Sequence, residues 1–165
     1  MPSNPLVLAH QQPARHRPTT PIVLALLVAL LAALVVTVAQ PSAHAAGTLL
    51  SQGKTATASS VEAVGTPASA AVDGSTTTRW SSAFSDPQWL QVDLGATATI
   101  SQVVLNWEAA YGTAFQIQTS TNGTSWTSIY STTTGTGGVQ TLNVTGSGRY
   151  VRMYGTARAT PYGYS

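Results

Sequence analysis

Beyond residue 45 the sequence offers few side chains for acid–base or nucleophilic chemistry, because that part has no histidine and the whole chain has no cysteine. Its carboxylates are spread along the chain rather than clustered, and they are Glu62, Asp73, Asp86, Asp93 and Glu108. Hydrolysis and group transfer near neutral pH usually rely on an imidazole, a thiolate or carboxylates with shifted pKa values. The composition therefore favours a binding protein and predicts that the domain is not an enzyme.

The enzymatic alternative is a glycoside hydrolase in which Glu62 and Glu108 form the pair of carboxylates that such enzymes use. One member of that pair must hold a proton near neutral pH, which requires burial or a close second charge. Dispersed acids provide little means of producing such a shift. The hydrolase is therefore the weaker hypothesis, and a solvated surface acid is the simplest interpretation of either residue by itself.

The first 45 residues are typical of a secretory signal peptide. Arg15 and Arg17 precede an uncharged, mostly apolar stretch of 18 residues, Ile22 to Ala39, and the small-residue pattern Ala43-His44-Ala45 follows. This order predicts an apolar signal helix, cleavage after residue 45 or 46, and a secreted, extracellular protein. Because 18 apolar residues also reach the minimum for spanning a bilayer, an uncleaved membrane anchor is the alternative.

Removal of this leader leaves residues 46 to 165 with five basic and five acidic side chains, so that their charges balance. Nucleic acid is therefore not an expected partner, since its binding requires a basic surface. Without cysteine the fold cannot use disulfides and must rely on core packing, with or without a bound metal. About 120 residues suffice for one domain, which we expect to span residues 46 to 165.

Short runs with a two-residue period predict β-strands. The run from Gln88 to Leu94 alternates apolar and polar residues, which is typical of a half-buried strand. In a second run, Ile100 to Trp107, the alternation assigns Val103 and Leu105 to one face and Ile100 to the other.

Glycine-containing turns between such runs predict hairpins. Asn122-Gly123 separates the runs 115–120 and 126–130, and Gly146-Ser147-Gly148 separates the runs 139–144 and 149–154. No segment after residue 46 sustains a helical period. The pattern therefore predicts an all-β sandwich or jelly roll. Large aromatic residues in strand-like runs usually fill a core, which we expect of Trp80, Trp89, Trp107 and Trp126.

Four motifs resemble discoidin domains, also called coagulation factor V/VIII C-type domains, in their order and approximate spacing. They are AVDGSTTTRWSS, DPQWLQVDLG, VVLNWEAAYGTAFQIQTSTNGTSW and GRYVRMYGTARATPYGYS. More narrowly, they resemble bacterial family 32 carbohydrate-binding modules, especially those attached to chitosan- and glucan-degrading enzymes. The resemblance covers roughly residues 48 to 165. It implies a galactose-binding-domain-like β-sandwich jelly roll that binds sugar through loops at one end.

The resemblance also concerns the C-terminus. In the family the segment that resembles TPYGYS is followed by a last strand carrying Trp, Glu, Phe and Tyr, whereas this sequence ends at Ser165. We therefore expect a C-terminally incomplete domain.

A structural calcium ion is implied by the same resemblance. Asp73, Ser75 and Thr78 match the family's calcium loop by position, and calcium prefers six to eight oxygen ligands. A plain turn is the alternative interpretation of Asp73-Gly74-Ser75. Because the family's final carboxylate ligand comes from the last strand, we expect weakened calcium affinity.

Sugar binding would need an exposed aromatic ring for the C–H face of a pyranose and a few polar groups for its hydroxyls. By position in the family, the primary candidates are Glu62, Arg79, Glu108 and Tyr162, and the secondary candidates are Tyr111 and Phe84. Arg79 has an alternative role as a brace paired with an acid. Related chitosan-binding modules tend to carry an acid where this chain has Phe84, which leaves a neutral β-glucan open beside chitosan.

The resemblance thus implies a secreted, monomeric, non-catalytic module that holds an attached glycoside hydrolase near a polysaccharide or oligosaccharide. Tethering would raise the effective concentration of the enzyme at its substrate. Adhesion to protein or lipid surfaces, as some discoidin domains show, is the remaining hypothesis. Such domains tend to have apolar or basic loop spikes, which the sequence does not make evident.

Overall fold

The computed structural model describes residues 47–165, and apart from one short 3₁₀ helix their regular secondary structure is all β-strand. In chain order the elements are β1 (Thr55–Ala58), a short 3₁₀ helix (Ala68–Ala71), β2 (Gln88–Asn106), β3 (Gly112–Ser120), β4 (Thr127–Thr132) and β5 (Val139–Arg158). All strand pairs are antiparallel, in the order β1-β2-β5-β3-β4. The prediction of an all-β domain is confirmed.

Strands β2 and β5 form a long ribbon that bends where its pairing is interrupted. They contain 19 and 20 residues, and their register shifts between Asp93 and Ala98 and again between Ile100 and Gln102. Gly95 lies in the first interruption with φ +87°, a conformation that favours glycine. Irregularities of this kind bend and twist a strand pair.

One hydrophobic core joins the two arms of this ribbon. Phe115 and Tyr164 are among the most buried side chains, and they cluster with Met153 from one arm of β5 and with Leu142 and Val144 from the other arm. Because residues on both sides of the bend share one core, the arms face each other as the layers of a sandwich. This agrees with the predicted β-sandwich jelly roll.

The runs predicted as strands are strands, but one predicted hairpin is wrong because the ribbon bends without breaking. The runs 88–94 and 100–107 belong almost entirely to the single strand β2, and no hairpin forms around Gly146-Ser147-Gly148, since β5 continues through it. These residues pair with Ile100, Thr99 and Ala98. A Cβ added to Gly146 would lie 2.7 Å from Cγ2 of Ile129. Close packing therefore accounts for this glycine, and no turn is involved.

The predicted face of Ile100 is also wrong. Strict alternation separates Ile100 from Val103 and Leu105, yet Ile100 is buried in the core that those two residues contact. The register shift between Ile100 and Gln102 reverses the alternation at this point.

The hairpin around Asn122-Gly123 is confirmed, since β3 pairs with β4. Gly123 has φ +77°. The side chain of Asn122 stabilises the turn, because its Oδ1 accepts hydrogen bonds from the backbone N–H groups of Thr124 and Ser125, both at 2.9 Å.

The core prediction holds for two of the four tryptophans. Trp80 and Trp107 are buried in the core cluster. The prediction is wrong for Trp89 and Trp126, which are half-buried outside that cluster. Trp126 instead stacks on Arg152, whose guanidinium carbon lies 4.0 Å from the centre of the ring.

The predicted signal peptide and its cleavage site lie outside the described residues. Within residues 47–165 no helix is long and apolar enough to cross a membrane. Residues Thr48–Ser165 form one unit by their contacts.

Candidate functional site

An open pocket of about 400 Å³ collects all four primary candidates, which are Glu62, Arg79, Glu108 and Tyr162. The other lining residues are small or polar, and they are Ser81, Ala109, Ala110, Thr160, Gly163 and Ser165. None of the primary candidates belongs to a strand, so the pocket is built from loops. The expectation of a loop site is consistent with this geometry.

Hydrogen bonds connect the loops that form the pocket. The N–H of Glu62 donates to the carbonyl of Ser81 at 2.8 Å, and the N–H of Glu108 donates to the carbonyl of Ser165 at 3.0 Å. Ser165 in turn donates to the carbonyl of Ala110 at 2.8 Å, and the hydroxyls of Ser81 and Ser165 are 3.1 Å apart. The loops that carry Glu62 and Glu108 are therefore both tied to the segment 162–165.

Tyr164 anchors that segment in the core. Its side chain is fully buried, its N–H donates to Oγ of Ser82 at 2.8 Å, and its hydroxyl donates to Asp86. Burial raises the pKa of the Tyr164 hydroxyl well above its ordinary value, and the hydrogen bond to Asp86 adds to this shift. The neighbouring Gly163 approaches so closely that an added Cβ would lie 2.0 Å from the carbonyl oxygen of Ser82. The hydroxyl of Tyr164 thus stays protonated, and the backbone beside Tyr162 is tightly packed.

The charged groups of the pocket are available to a ligand. Glu62, Arg79 and Glu108 are all exposed. Within residues 47–165 the ion pairs are Arg149–Asp93 and Arg158–Asp86, so Arg79 does not act there as a brace. Glu108 accepts a hydrogen bond on Oε2 from the N–H of Ala110 at 3.3 Å, which leaves its other oxygen open to the pocket.

The secondary candidate Phe84 contacts the primary candidate Tyr162. Their side chains are 51% and 63% exposed, and their ring centres are 5.9 Å apart in an edge-to-face arrangement at 87°. Such aromatic pairs are favourable beyond their buried area. The two rings thus form an aromatic corner beside the charged groups.

The secondary candidate Tyr111 lies elsewhere. It is absent from the pocket lining and packs against the core, and a Cβ on Gly137 would lie 2.6 Å from its ring. Its carbonyl accepts a hydrogen bond from the N–H of Ala159 at 2.9 Å. Tyr111 therefore supports the loop 159–165 and does not offer a surface to a ligand in this pocket.

The three candidate calcium ligands lie together in one loop. Asp73 accepts hydrogen bonds from the N–H of Ser75 at 2.8 Å and from the hydroxyl of Thr78 at 2.7 Å. These bonds lower the pKa of the Asp73 carboxyl. Within residues 47–165 no group of three or more histidine, cysteine, aspartate or glutamate side chains meets. The loop offers oxygen atoms of the type that calcium prefers but only one carboxylate, and calcium binding at this loop stays a prediction.

Sequence reasoning missed the ion pair between Arg158 and Asp86. The Nε of Arg158 lies 3.3 Å from Oδ2 of Asp86, although 72 residues separate them along the chain. Both residues fall within the motifs named above, but no local pattern relates them. Ser81, Thr160 and Ser165 were likewise missed as lining residues, because small polar residues carry no spacing signal in a loop.

A model of the F5/8 type C domain family matches residues 55–165. The chain therefore belongs to the F5/8 type C domain family, which confirms the family indicated by its motifs.

Solved structures of similar sequence and fold are carbohydrate-binding modules. Chitosan-binding module 1 from a chitosanase/glucanase of Paenibacillus sp. IK-5 is 51% identical, with a TM-score of 0.69 over 72% of this chain and 93% of the module. Module 2 of the same enzyme, solved with chitotriose, is 45% identical, with a TM-score of 0.69 over 70% and 93%. The family 32 module of NanJ from Clostridium perfringens, solved with galactose, is 25% identical, with a TM-score of 0.57 over 68% and 93%.

A curated relative is the polysaccharide lyase 8 family protein HylA of Enterococcus faecalis, which is 45% identical over 71 residues. The match covers 43% of this chain but spans only 5% of HylA. The modules of Paenibacillus and Clostridium, in contrast, are matched over nearly their full length, and they are binding modules rather than catalytic domains. This confirms the prediction that the domain is not an enzyme.

Proposed function

We propose that the domain binds a polysaccharide of β-linked glucosamine or glucose units in the pocket lined by Glu62, Arg79, Glu108 and Tyr162. The observation that carries the proposal is that these residues, which are far apart in the sequence, line one open pocket. The exposed ring of Tyr162 suits the C–H face of a pyranose. The guanidinium and the carboxylates can donate to and accept from its hydroxyls.

The charge of the pocket favours an amino sugar. Two carboxylates and one guanidinium line it, so the charged side chains of the pocket carry a net charge of −1, which suits the ammonium group of a glucosamine unit. The chitosan-binding modules of Paenibacillus, at 51% and 45% identity, support the same ligand. Phe84 adds an uncharged ring at the rim, which suits a neutral β-glucan as a second ligand.

The proposed role is that of a secreted, monomeric targeting module. The apolar leader with its small-residue cleavage pattern supports export. The origin of the similar modules in a chitosanase/glucanase supports attachment to a catalytic domain. A single pocket of this size binds weakly, and tethering would convert weak binding into a high local concentration of enzyme at the polymer.

Titration calorimetry of the purified protein with chitotriose and with a β-1,3-glucan trisaccharide, at low and high salt, tests this function. We expect dissociation constants on the order of 10 μM to 1 mM. Salt should weaken the binding of chitotriose, because ion pairs at exposed groups are screened, and should leave stacking with the neutral sugar unchanged.

Val64→Ser is a control variant for this calorimetry. Val64 is fully exposed near Glu62 but is absent from the pocket lining. This variant should bind both sugars like the wild type. Binding of neither sugar by the wild type would contradict the proposed function.

A further inference from the structure

Arg158 holds the backbone on which Tyr162 is mounted. Its Nη1 donates hydrogen bonds to the carbonyl oxygens of Pro161 at 3.1 Å and of Tyr162 at 3.0 Å. These bonds come from the end of β5, so a rigid strand restrains the loop that follows it.

Asp86 connects this contact to the core. One of its oxygens lies 3.3 Å from Nε of Arg158, and the other accepts the hydroxyl of the fully buried Tyr164. The Arg158 and Asp86 side chains are 18% and 32% exposed, so this ion pair is partly shielded from water. The carboxylate thus joins Arg158, just before the loop, to Tyr164, just after Tyr162.

We propose that Arg158 and Asp86 are positioning residues for Tyr162, which they hold ready for a sugar ring. The inference rests on the proposed function, in which Tyr162 is the stacking surface. Tyr162 is 63% exposed, so the position of its ring depends on the backbone beneath it as well as on the edge-to-face contact with Phe84. A ring that is already fixed loses less conformational freedom on binding, which raises affinity.

A double-mutant cycle measured by calorimetry with chitotriose tests the inference. Arg158→Ala should weaken binding by about two- to tenfold, the range expected when one side chain must be immobilised on binding. Combined with Tyr162→Ala, it should cause no further loss, because Arg158 acts through Tyr162. Arg158→Lys should fall between the wild type and Arg158→Ala, because an ammonium group lacks the planar fork that spans a carboxylate and two carbonyls. Additive losses in the double variant would overturn the proposal.

Arg149→Ala is the matched control. It removes the other arginine–carboxylate pair of the described residues, neither member of which lines the pocket. It should leave affinity unchanged. An equal loss of affinity in Arg149→Ala would show a general effect of stability and would overturn the positioning role.

A second measurement in the free protein separates this inference from the proposed function. In Arg158→Ala the backbone ¹⁵N order parameters of Tyr162 and Gly163 should fall from about 0.85 to below about 0.6, whereas Arg149→Ala should leave them unchanged.

If the wild type binds no sugar, the proposed function fails and this measurement alone decides whether Arg158 holds the loop. If Arg158→Ala does not fold, Asp86→Asn replaces it, since an amide can still accept the Tyr164 hydroxyl while the ion pair is lost. Unchanged order parameters would overturn the proposal.

Discussion

The guanidinium of Arg149 binds both carboxylate oxygens of Asp93, with Nε 2.8 Å from Oδ1 and Nη2 2.7 Å from Oδ2. Asp93 is the last paired residue of β2 before the ribbon bends, and Arg149 lies between the paired residues Gly148 and Tyr150 of β5. The N–H of Gly95 donates to the same carboxylate at 2.8 Å. The pair therefore braces the bend that brings the two layers together.

Stability should depend on pH through Asp93. The hydrogen bonds from Arg149 and Gly95 lower the pKa of Asp93 from 3.8 to about 2. A carboxyl with a lowered pKa stabilises the fold above its unfolded-state pKa, and this contribution is lost as the pH falls from about 3.8 to about 2. Between about pH 4 and pH 2 the Tm of Asp93→Asn should therefore fall less steeply than that of the wild type, as measured by scanning calorimetry.

Arg149→Ala serves as the control for this pH effect. This variant removes the main cause of the lowered pKa of Asp93. Its Tm should therefore also fall less steeply than that of the wild type over the same pH range. Wild-type slopes in both variants would contradict this account of the pair.

Arg152 should contribute to stability without contributing to sugar binding. Its guanidinium stacks 4.0 Å from the ring centre of Trp126, and its Nε donates to Oε1 of Gln118 at 2.6 Å. A cation–π contact of about 0.5 to 2 kcal/mol and a hydrogen bond of about 1 kcal/mol predict that Arg152→Ala lowers the free energy of unfolding by about 1 to 3 kcal/mol.

Denaturant unfolding measures the effect of Arg152→Ala, and calorimetry with chitotriose is its control. Arg152 is absent from the pocket lining, so affinity should stay at the wild-type value. A change in affinity without a change in stability would contradict the structural role.

The fold class could be predicted from the sequence better than the local topology. Arg79, Glu108 and Tyr162 were assigned by their positions in the named motifs, and Glu62 was assigned by its position in the family. The structure brings all four to one pocket. The position of a residue in a family motif indicates where that residue lies in the three-dimensional fold of the family. Tyr111 shows the limit of that reasoning, since a nearby aromatic residue in the same motif packs against the core instead.

The errors share a physical cause. Periodicity describes a strand locally, whereas a bulge changes the face of every following residue, as Ile100 shows. Gly146 and Gly148 resemble turn residues in the sequence, but they fit close packing within β5. Trp126 was expected in the core because large aromatic residues in strand-like runs usually fill one, and its actual partner Arg152 is distant in the sequence. The register shift, the close packing of the glycines and the stacking of Trp126 all depend on contacts between distant segments. The pattern within a single run of residues does not show such contacts.

Calcium should stabilise the domain through the loop that contains Asp73. In this loop the Asp73 carboxylate accepts hydrogen bonds from the N–H of Ser75 and the hydroxyl of Thr78, and a loop with a single carboxylate suits weak binding in the range of about 0.1 to 1 mM. Binding to the folded state alone should raise the Tm by about 5 to 10 degrees at about 10 mM calcium. Scanning calorimetry with calcium and with a chelator measures this shift.

Asp73→Asn is the informative variant for the calcium prediction. Asparagine can still accept a hydrogen bond from the N–H of Ser75, but it removes the negative charge. The comparison concerns the calcium-induced change in Tm, because the loss of the Thr78 bond can lower the Tm by itself. We expect no calcium-induced change in Asp73→Asn, and equal shifts in the two proteins would rule out the site.

Two substitutions in the pocket should separate stacking from charge pairing. Tyr162→Ala should weaken binding of both chitotriose and the β-1,3-glucan trisaccharide by roughly tenfold, because each sugar uses the exposed ring. Glu108→Gln should weaken the binding of chitotriose alone and should reduce its sensitivity to salt, since the amide cannot pair with an ammonium group. Tyr111→Phe is the control, because Tyr111 lies outside the pocket lining and should leave both affinities unchanged. Calorimetry of these variants at low and high salt provides the measurement. Wild-type affinities in both Tyr162→Ala and Glu108→Gln would show that the sugar binds elsewhere on the domain.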